Sequence, residues 1–320
     1  MALSAADQMG QAVAYLAAGQ LVRGWRLYEA RWAFPDYPGN HIPVPAPRAT
    51  AMADFYDRRV LLWYEQSARE IIPMLRFIPA VTRVARSVVL VVQPELINLI
   101  PAIPGLDSVI TNGDAFTDVD CHCPLMSLPF LLRTRLATIP TVTPYLQPPA
   151  DRVAAWRERL GTPRNQRVGL FWRADPNQSH YAREAIPAST LFPLPRLAGF
   201  EYHVLQNHLD DLDHAFLAST PAVRAYAGEL NELADVAALA VNLDMIVTVD
   251  SVVAHLAGAL GVPAMVALTM EPSWIWMTGR DDSPWYPTAR LFRQQTHGDW
   301  STVISRIRGA LWQKHPSIEL

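Results

Sequence analysis

Cysteine is almost absent from this chain of 320 residues: Cys121 and Cys123, one residue apart, are the two that occur. Thiols that close in sequence cannot staple a fold, so a disulfide-built secreted domain is excluded and a reducing, cytoplasmic setting is expected. The triplet Cys121-His122-Cys123 has no second Cys or His pair at zinc spacing, and adjacent side chains on an extended segment point to opposite faces. It reads as structural, and no metal is expected. An excess of one charge is also missing. The net charge is −3 with a pI near 6.3, which leaves no electrostatic footprint for nucleic acid. No uncharged apolar run of about 18 residues is present, so no membrane span is expected. Met1 to Gln20 lack the basic start and long apolar stretch of a secretory signal.

Core-forming material is plentiful. Half of the residues are hydrophobic and 18% are charged, enough for two ordinary domains or one large one. Residues 5–32 pattern as a helical hairpin, with Ala12, Tyr15 and Leu16 on one helix and Trp25, Leu27, Tyr28 and Trp32 on the next. Pro35, Pro38, Pro43, Pro45 and Pro47 then forbid a helix or a central strand. Continuous apolar strands are expected at 60–64, 88–92 and 107–110, with helices between them. Pro148-Pro149 interrupts the pattern, and Asp151 is placed to cap a helix running to Leu160. The alternation restarts with strands at 168–172, 202–205, 245–249 and 264–268 and closes on a helix over 301–312. Alternating strands and helices of this kind argue for parallel sheets covered on both faces.

The run from Val247 to Pro263 carries the chemistry. A buried strand ends in Asp250 and Ser251, a helix follows, and Gly261-Val262-Pro263 leads into the next apolar run. In open parallel sheets ligands bind outside the carboxyl ends of the strands, and a helix start there favours phosphate. His255, four residues after Ser251, falls on the same helical face. A carboxylate for a sugar hydroxyl, a helix start for phosphate and a nearby imidazole make a nucleotide-type site. An Asp-Ser cap that binds nothing fits the same residues.

Three stretches go further: Gly24 to Trp32, Pro124 to Pro129, and the long run from Asn242 to Gln294, which includes Arg280-Asp281-Asp282-Ser283-Pro284-Trp285-Tyr286-Pro287. With them the chain resembles bacterial glycosyltransferases of family 9, the heptosyltransferase-like group, in the branch where that domain follows tetratricopeptide repeats. The resemblance implies an α/β GT-B architecture, two Rossmann-like domains facing across a cleft and preceded by a short helical hairpin. Residues 1–35 would be the hairpin, a remnant repeat. Residues 36–150 would form the acceptor domain and 151–320 the nucleotide-sugar domain, the last helix packing back on the first domain. It implies an inverting, metal-independent transfer from a nucleotide-sugar co-substrate to a glycan or protein hydroxyl, releasing a nucleoside diphosphate and needing no cofactor. Donor binding would fall to Asp250, Ser251, His255, Gln206, Arg183 and Trp172.

On the acceptor side the family motif is Glu-Gln-Gly-x-Gly-Asp, and this chain has Glu65-Gln66-Ser67-Ala68-Arg69-Glu70. Glu70 would be the catalytic base, with Glu65, Gln66 and Arg69 forming the acceptor loop. Both glycines are replaced, one by a bulky cation. A helix-surface glutamate paired to Arg69 or Arg76 is the other reading of Glu70. In the second domain the family's basic position before Ser-Ile-Pro holds Glu184, with Arg183 adjacent and Arg173 new. These departures define an alternative, a catalytically impaired GT-B protein that binds a nucleotide or a partner. A sugar-nucleotide epimerase of the same architecture is a third reading. Trp274, Trp276, Trp285 and Tyr286 read either as stacking platforms for sugar or base, or as core and lid packing. Asp281-Asp282 reads as part of a turn. Oligomeric state is left open.

Overall fold

The computed structural model describes residues 3–37, 44–116, 118–173, 184–226 and 228–314. They divide into two units, Met1–Tyr145 with Ser273–Gly279, and Leu146–Pro272 with Arg280–Leu320. The helical hairpin thus lies within the first unit instead of standing apart as residues 1–35, and a short piece from late in the chain joins it.

The reason is packing around Trp25. Ser4 opens α1 (Ala5–Ala17): its hydroxyl accepts the Asp7 N–H at 3.1 Å, while the Asp7 carboxylate accepts the Ser4 N–H at 3.3 Å. Gly19, at φ +75°, makes the turn into α2 (Leu21–Tyr28). A Cβ at Gly24 would meet Leu16 Cγ at 2.6 Å, so glycine there lets the two helices close. Trp25, fully buried, meets Tyr28 and Trp274 edge-on at centroid distances of 5.4 and 5.1 Å. The Thr278 N–H donates to the Ala17 carbonyl at 2.9 Å. Trp274 and Trp276 therefore serve the packing of the hairpin.

After the hairpin come β1 (Arg59–Trp63), α3 (Ala68–Leu75), α4 (Ile78–Thr82), β2 (Ser87–Val91), β3 (Leu106–Ile110), β4 (Cys121–Pro124) and α5 (Leu128–Leu131). The strands form a parallel sheet in the order β3-β2-β1-β4. β1 and β2 are almost wholly buried, as the continuous apolar runs required. β4 was not anticipated, because Cys-His-Cys-Pro carries no apolar run. Its two cysteines are buried, and burial pushes both thiols up, Cys121 to about 11, so neither is a ready nucleophile. Between them His122 accepts the indole N–H of Trp63 on Nδ1 at 3.0 Å.

The second unit contains α6 (Ala150–Leu160), β5 (Gln166–Phe171), β6 (Phe200–Val204), α7 (Asp211–Ala218), β7 (Val223–Arg224), α8 (Leu233–Ala240), β8 (Met245–Val249), α9 (Val252–Leu260), β9 (Ala264–Leu268), β10 (Ala289–Arg293) and α10 (Trp300–Lys314). Its six parallel strands run β10-β9-β8-β5-β6-β7. Read from the other edge this is 3-2-1-4-5-6, the doubly wound dinucleotide-fold order. Pro149, not Asp151, holds the cap position of α6; Asp151 lies in the first turn, where the helix dipole still favours a carboxylate. α10 packs against β10 and β9 of its own unit. Among the described residues no helix is long and apolar enough to cross a membrane.

His203 on β6 shows how this core treats a titratable group. It is fully buried, its Nδ1 lies 2.7 Å from the Tyr226 hydroxyl, and burial, aided by Arg224 and Arg167, lowers its pKa from 6.5 to about 4. Between these values the unfolded chain binds a proton that the folded chain refuses. This contribution is complete above pH 6.5 and is lost as the pH falls toward 4, on the order of 3 kcal/mol in all. Urea unfolding of His203→Phe should show a shallower acid-side loss of stability than the parent; equal slopes would refute the assignment.

Candidate functional site

In the second sheet, β5 leads outward through β6 to β7, and the chain then returns to the other side of β5 to lay down β8, β9 and β10. The order reverses between β5 and β8. Successive crossovers diverge at such a point, and a crevice opens at the carboxyl edge. Trp172 follows β5, Gln206 lies just beyond β6, and Asp250 and Ser251 follow β8. These four residues singled out from sequence, together with His255 on α9, thus gather on the carboxyl edge beside this reversal.

Their local chemistry differs. Ser251 is the N-cap of α9 in extended conformation; its Oγ accepts the Ala254 N–H at 3.4 Å and lies 3.0 Å from Thr248 Oγ1. Asp250, Ser251 and His255 are all buried, at 1%, 0% and 2% exposure. His255 Nδ1 is 2.9 Å from the Tyr286 hydroxyl, and its Nε2 is 4.0 Å from Asp250 Oδ1. Tyr286 fits because residue 258 is glycine: a Cβ there would stand 2.1 Å from Tyr286 Cδ1. Arg293 ends β10, level with Leu268 at the end of β9, and its Nε donates to the Arg280 carbonyl at 3.1 Å. Burial lowers its pKa, while Asp281 and Asp250 act in the opposite sense.

Gln206 and Trp172 are engaged by the chain itself. Gln206 Oε1 accepts the backbone N–H groups of Trp172 and Arg173 at 3.4 and 3.2 Å, and its Nε2 donates to the His208 carbonyl at 3.1 Å. The amide ties the ends of β5 and β6 together. The Trp172 indole donates to Asp213 Oδ1 at 2.9 Å, and Arg173 pairs with Asp210 and Asp213. Arg183 lies outside the described residues.

The first sheet also reverses its order, between β1 and β4, and a guanidinium stands there. Arg31, 1% exposed and just past α2, donates from Nε to Glu65 Oε1 at 2.6 Å, from Nη1 to Glu29 Oε1 at 2.6 Å and from Nη2 to Ser127 Oγ at 2.7 Å. Glu65 follows β1 and Ser127 follows β4. Tyr37 donates to Glu65 Oε1 at 2.8 Å, and Gln66 Nε2 donates to the Tyr28 and Tyr37 hydroxyls at 2.6 and 3.3 Å. Burial opposes the charge of Arg31, but Glu65 and Glu29 outweigh it and raise its pKa. Glu65 and Gln66, expected to face an acceptor, are thus anchored to the hairpin.

Ser67 precedes α3 as its N-cap, and Arg69, buried, falls inside that helix. Glu70 sits in the first helical turn, where the Ser67 hydroxyl donates to its Oε2. Arg76 donates to the Pro73 and Pro140 carbonyls and to the Tyr145 hydroxyl, each at 3.0 Å. A cavity of about 410 Å³ opens by the ends of β1, β2 and β3, lined by Leu61, Trp63, Val91, Ile110 and Phe116 and by the 111–114 loop. Arg31, Ser127 and Arg293 were not identified from sequence as site residues, although the Gly24–Trp32, Pro124–Pro129 and Asn242–Gln294 strings contain them, and Tyr286 was weighed as a stacking platform and not as the partner of His255.

No family model matches the chain. Protein FlbA of Caulobacter vibrioides is 26% identical over 334 aligned positions, covering 95% of this chain and 54% of that protein. The chain therefore spans about half the length of this relative. Among solved structures, the family 9 glycosyl transferase of Veillonella parvula superposes with a TM-score of 0.60 at 10% identity, covering 83% of this chain and 91% of that one. The ADP-heptose lipopolysaccharide heptosyltransferase II of E. coli gives 0.55 at 13% identity, covering 80% and 99%. The E. coli heptosyltransferase WaaC with ADP-2-deoxy-2-fluoro heptose gives 0.52 at 12%, again covering 80% and 99%. The fold is that of the GT-B heptosyltransferase-like glycosyltransferases, with two Rossmann-like α/β units.

Two substitutions test these cores by urea unfolding. Arg31→Ala leaves two carboxylates at a buried site without their shared cation and should cost about 3–5 kcal/mol, with Arg31→Lys recovering only part. Gly258→Ala drives a methyl into the Tyr286 ring and should cost about 2 kcal/mol. Neutral results would contradict the packing described.

Proposed function

We propose that this protein is a glycosyltransferase of the family 9 type, moving a sugar from a nucleotide-sugar donor to a hydroxyl of a glycan or protein acceptor. One observation carries the reading: Asp250, Ser251 and the start of α9 stand at the carboxyl edge beside the strand-order reversal of a six-stranded parallel sheet. A sheet of this order holds a nucleotide at that point, and the positive end of a nine-residue helix favours its phosphates. The ADP and ADP-sugar complexes of the E. coli heptosyltransferase, which has the same fold, support a nucleoside diphosphate there.

The transfer is inverting and needs no resident metal. The acceptor hydroxyl oxygen attacks the anomeric carbon opposite the leaving group, and the bond from that carbon to the diphosphate oxygen breaks. The diphosphate leaves with the bonding electron pair, and the hydroxyl proton passes to the Glu70 carboxylate. Charge on the departing diphosphate is met by the α9 start, and Arg183 is proposed to supply a cation. A nucleotide-sugar donor fits a cytoplasmic reaction.

A second reading has its own observation. Ser67 and Arg69, which replace the two glycines of the family loop, are the N-cap and a first-turn residue of α3, and Glu65 is tied to Arg31. A protein that binds the nucleotide without turnover fits that geometry.

Titration calorimetry with ADP, UDP and GDP and their sugars should find at least one Kd below about 1 mM, weakened tenfold or more by Asp250→Asn. No heat from any of them would end the donor-site reading. Glu70→Gln should lower turnover, read as diphosphate release, by about 100-fold or more with donor affinity unchanged and with activity indifferent to EDTA. Donor binding without turnover in the parent chain would favour the second reading.

A further inference from the structure

His255 has two ring nitrogens, and what faces each fixes the form of the ring. The Tyr286 hydroxyl lies 2.9 Å from Nδ1, and the Asp250 carboxylate lies 4.0 Å from Nε2. At 4.0 Å the carboxylate is beyond direct hydrogen-bond range but close enough to select a tautomer. A lone pair on Nε2 would point at negative charge, whereas a proton there is attracted to it. With the proton on Nε2, Nδ1 becomes an acceptor, and the phenol O–H opposite it is a donor in reach.

The chain holds Tyr286 firmly in that role. Its ring is fully buried and seated in the slot left by Gly258, where a Cβ would stand 2.1, 2.4 and 2.7 Å from three ring carbons. Its backbone N–H donates to Ser283 Oγ at 3.2 Å, and its carbonyl accepts the Ala289 N–H at 2.9 Å. The groups near His255 come from three places: Ser251 one turn back, whose carbonyl accepts the His255 N–H at 3.3 Å, Asp250 after β8, and Tyr286 before β10; the charge of Asp250 is in turn felt by Arg293 at the end of β10.

We infer that Tyr286 is a positioning residue that holds His255 in its Nε2–H tautomer, so that the imidazole meets the donor diphosphate as a hydrogen-bond donor and not as a base. This deepens the donor-site reading and rests on it. Tyr286 would then have no contact with the sugar or base, in contrast to a stacking role.

The test uses the full chain with ¹⁵N-labelled histidine, the His255 signals being assigned by their loss in His255→Gln. The parent protein should show an unprotonated Nδ1 and a protonated Nε2. In Tyr286→Phe, which keeps the ring in its slot, the two tautomers should become mixed. Affinity for whichever of ADP, UDP or GDP the parent binds should fall three- to tenfold, with affinity for the matching nucleoside unchanged. An Nδ1–H pattern in the parent protein overturns the inference without any variant. So does a tautomer unchanged in Tyr286→Phe, or a mixed tautomer with no loss of diphosphate affinity. If the parent binds none of the three diphosphates, the donor-site reading falls and this inference with it; if it binds one and the tautomer is wrong, only the inference falls.

Discussion

A parallel sheet covered by helices on both faces leaves few places where a ligand can approach backbone. Crossover helices fill the faces and neighbouring strands occupy each edge, so the opening lies at the carboxyl ends where successive crossovers depart in opposite directions. In the second unit that place is set by β8 returning to the far side of β5. Asp250, Ser251 and His255 stand beside that place, the serine capping α9 and the imidazole buried on it. The fold makes the same demand in both units, and the two units answer it differently.

In the first unit the reversal between β1 and β4 is occupied by the chain itself. The Arg31 guanidinium bonds to Glu65 beyond β1 and Ser127 beyond β4, with Glu29 as a third partner. A buried cation among carboxylates contributes little net stability compared with an apolar replacement, but it is costly to break and it fixes geometry. What it fixes here is the start of the loop leading to Glu70, and it does so from the helical hairpin. The hairpin is thus part of the machinery that shapes the first unit. The second unit shows a comparable economy: Gln206 joins two strand ends, and Trp172 and Arg173 close on the start of α7 through Asp210 and Asp213.

Much of this could be read along the chain. Continuous apolar runs located β1, β2, β5, β6, β8 and β9 within two residues, because a strand buried on both faces has no other composition open to it. β4, β7 and β10 escaped notice for physical reasons. Cys-His-Cys-Pro owes its strand to pairing with β1, β7 is two residues long, and Ala289–Arg293 is a short edge strand whose apolar residues are interrupted by Arg290 and closed by Arg293. Asp250, Ser251 and His255 were legible because strand end, cap and helical repeat are local features. Tyr286 as the partner of His255 was not, since the contact spans 31 residues and depends on a glycine slot that becomes visible once the two are packed.

The sequence by itself determined the alternation of buried strands and helices, the break near Pro148-Pro149, and the acid, hydroxyl and imidazole that open α9. These depend on composition and on spacing within a turn or two, where chain connectivity dictates who meets whom. The tertiary structure alone decided that the hairpin and Ser273–Gly279 belong to the first unit, that Arg31 stands between the ends of β1 and β4, and that Gln206 faces backbone. Each of those is a contact between distant segments, selected by which buried polar groups find partners as the core closes, and that selection has no local signature.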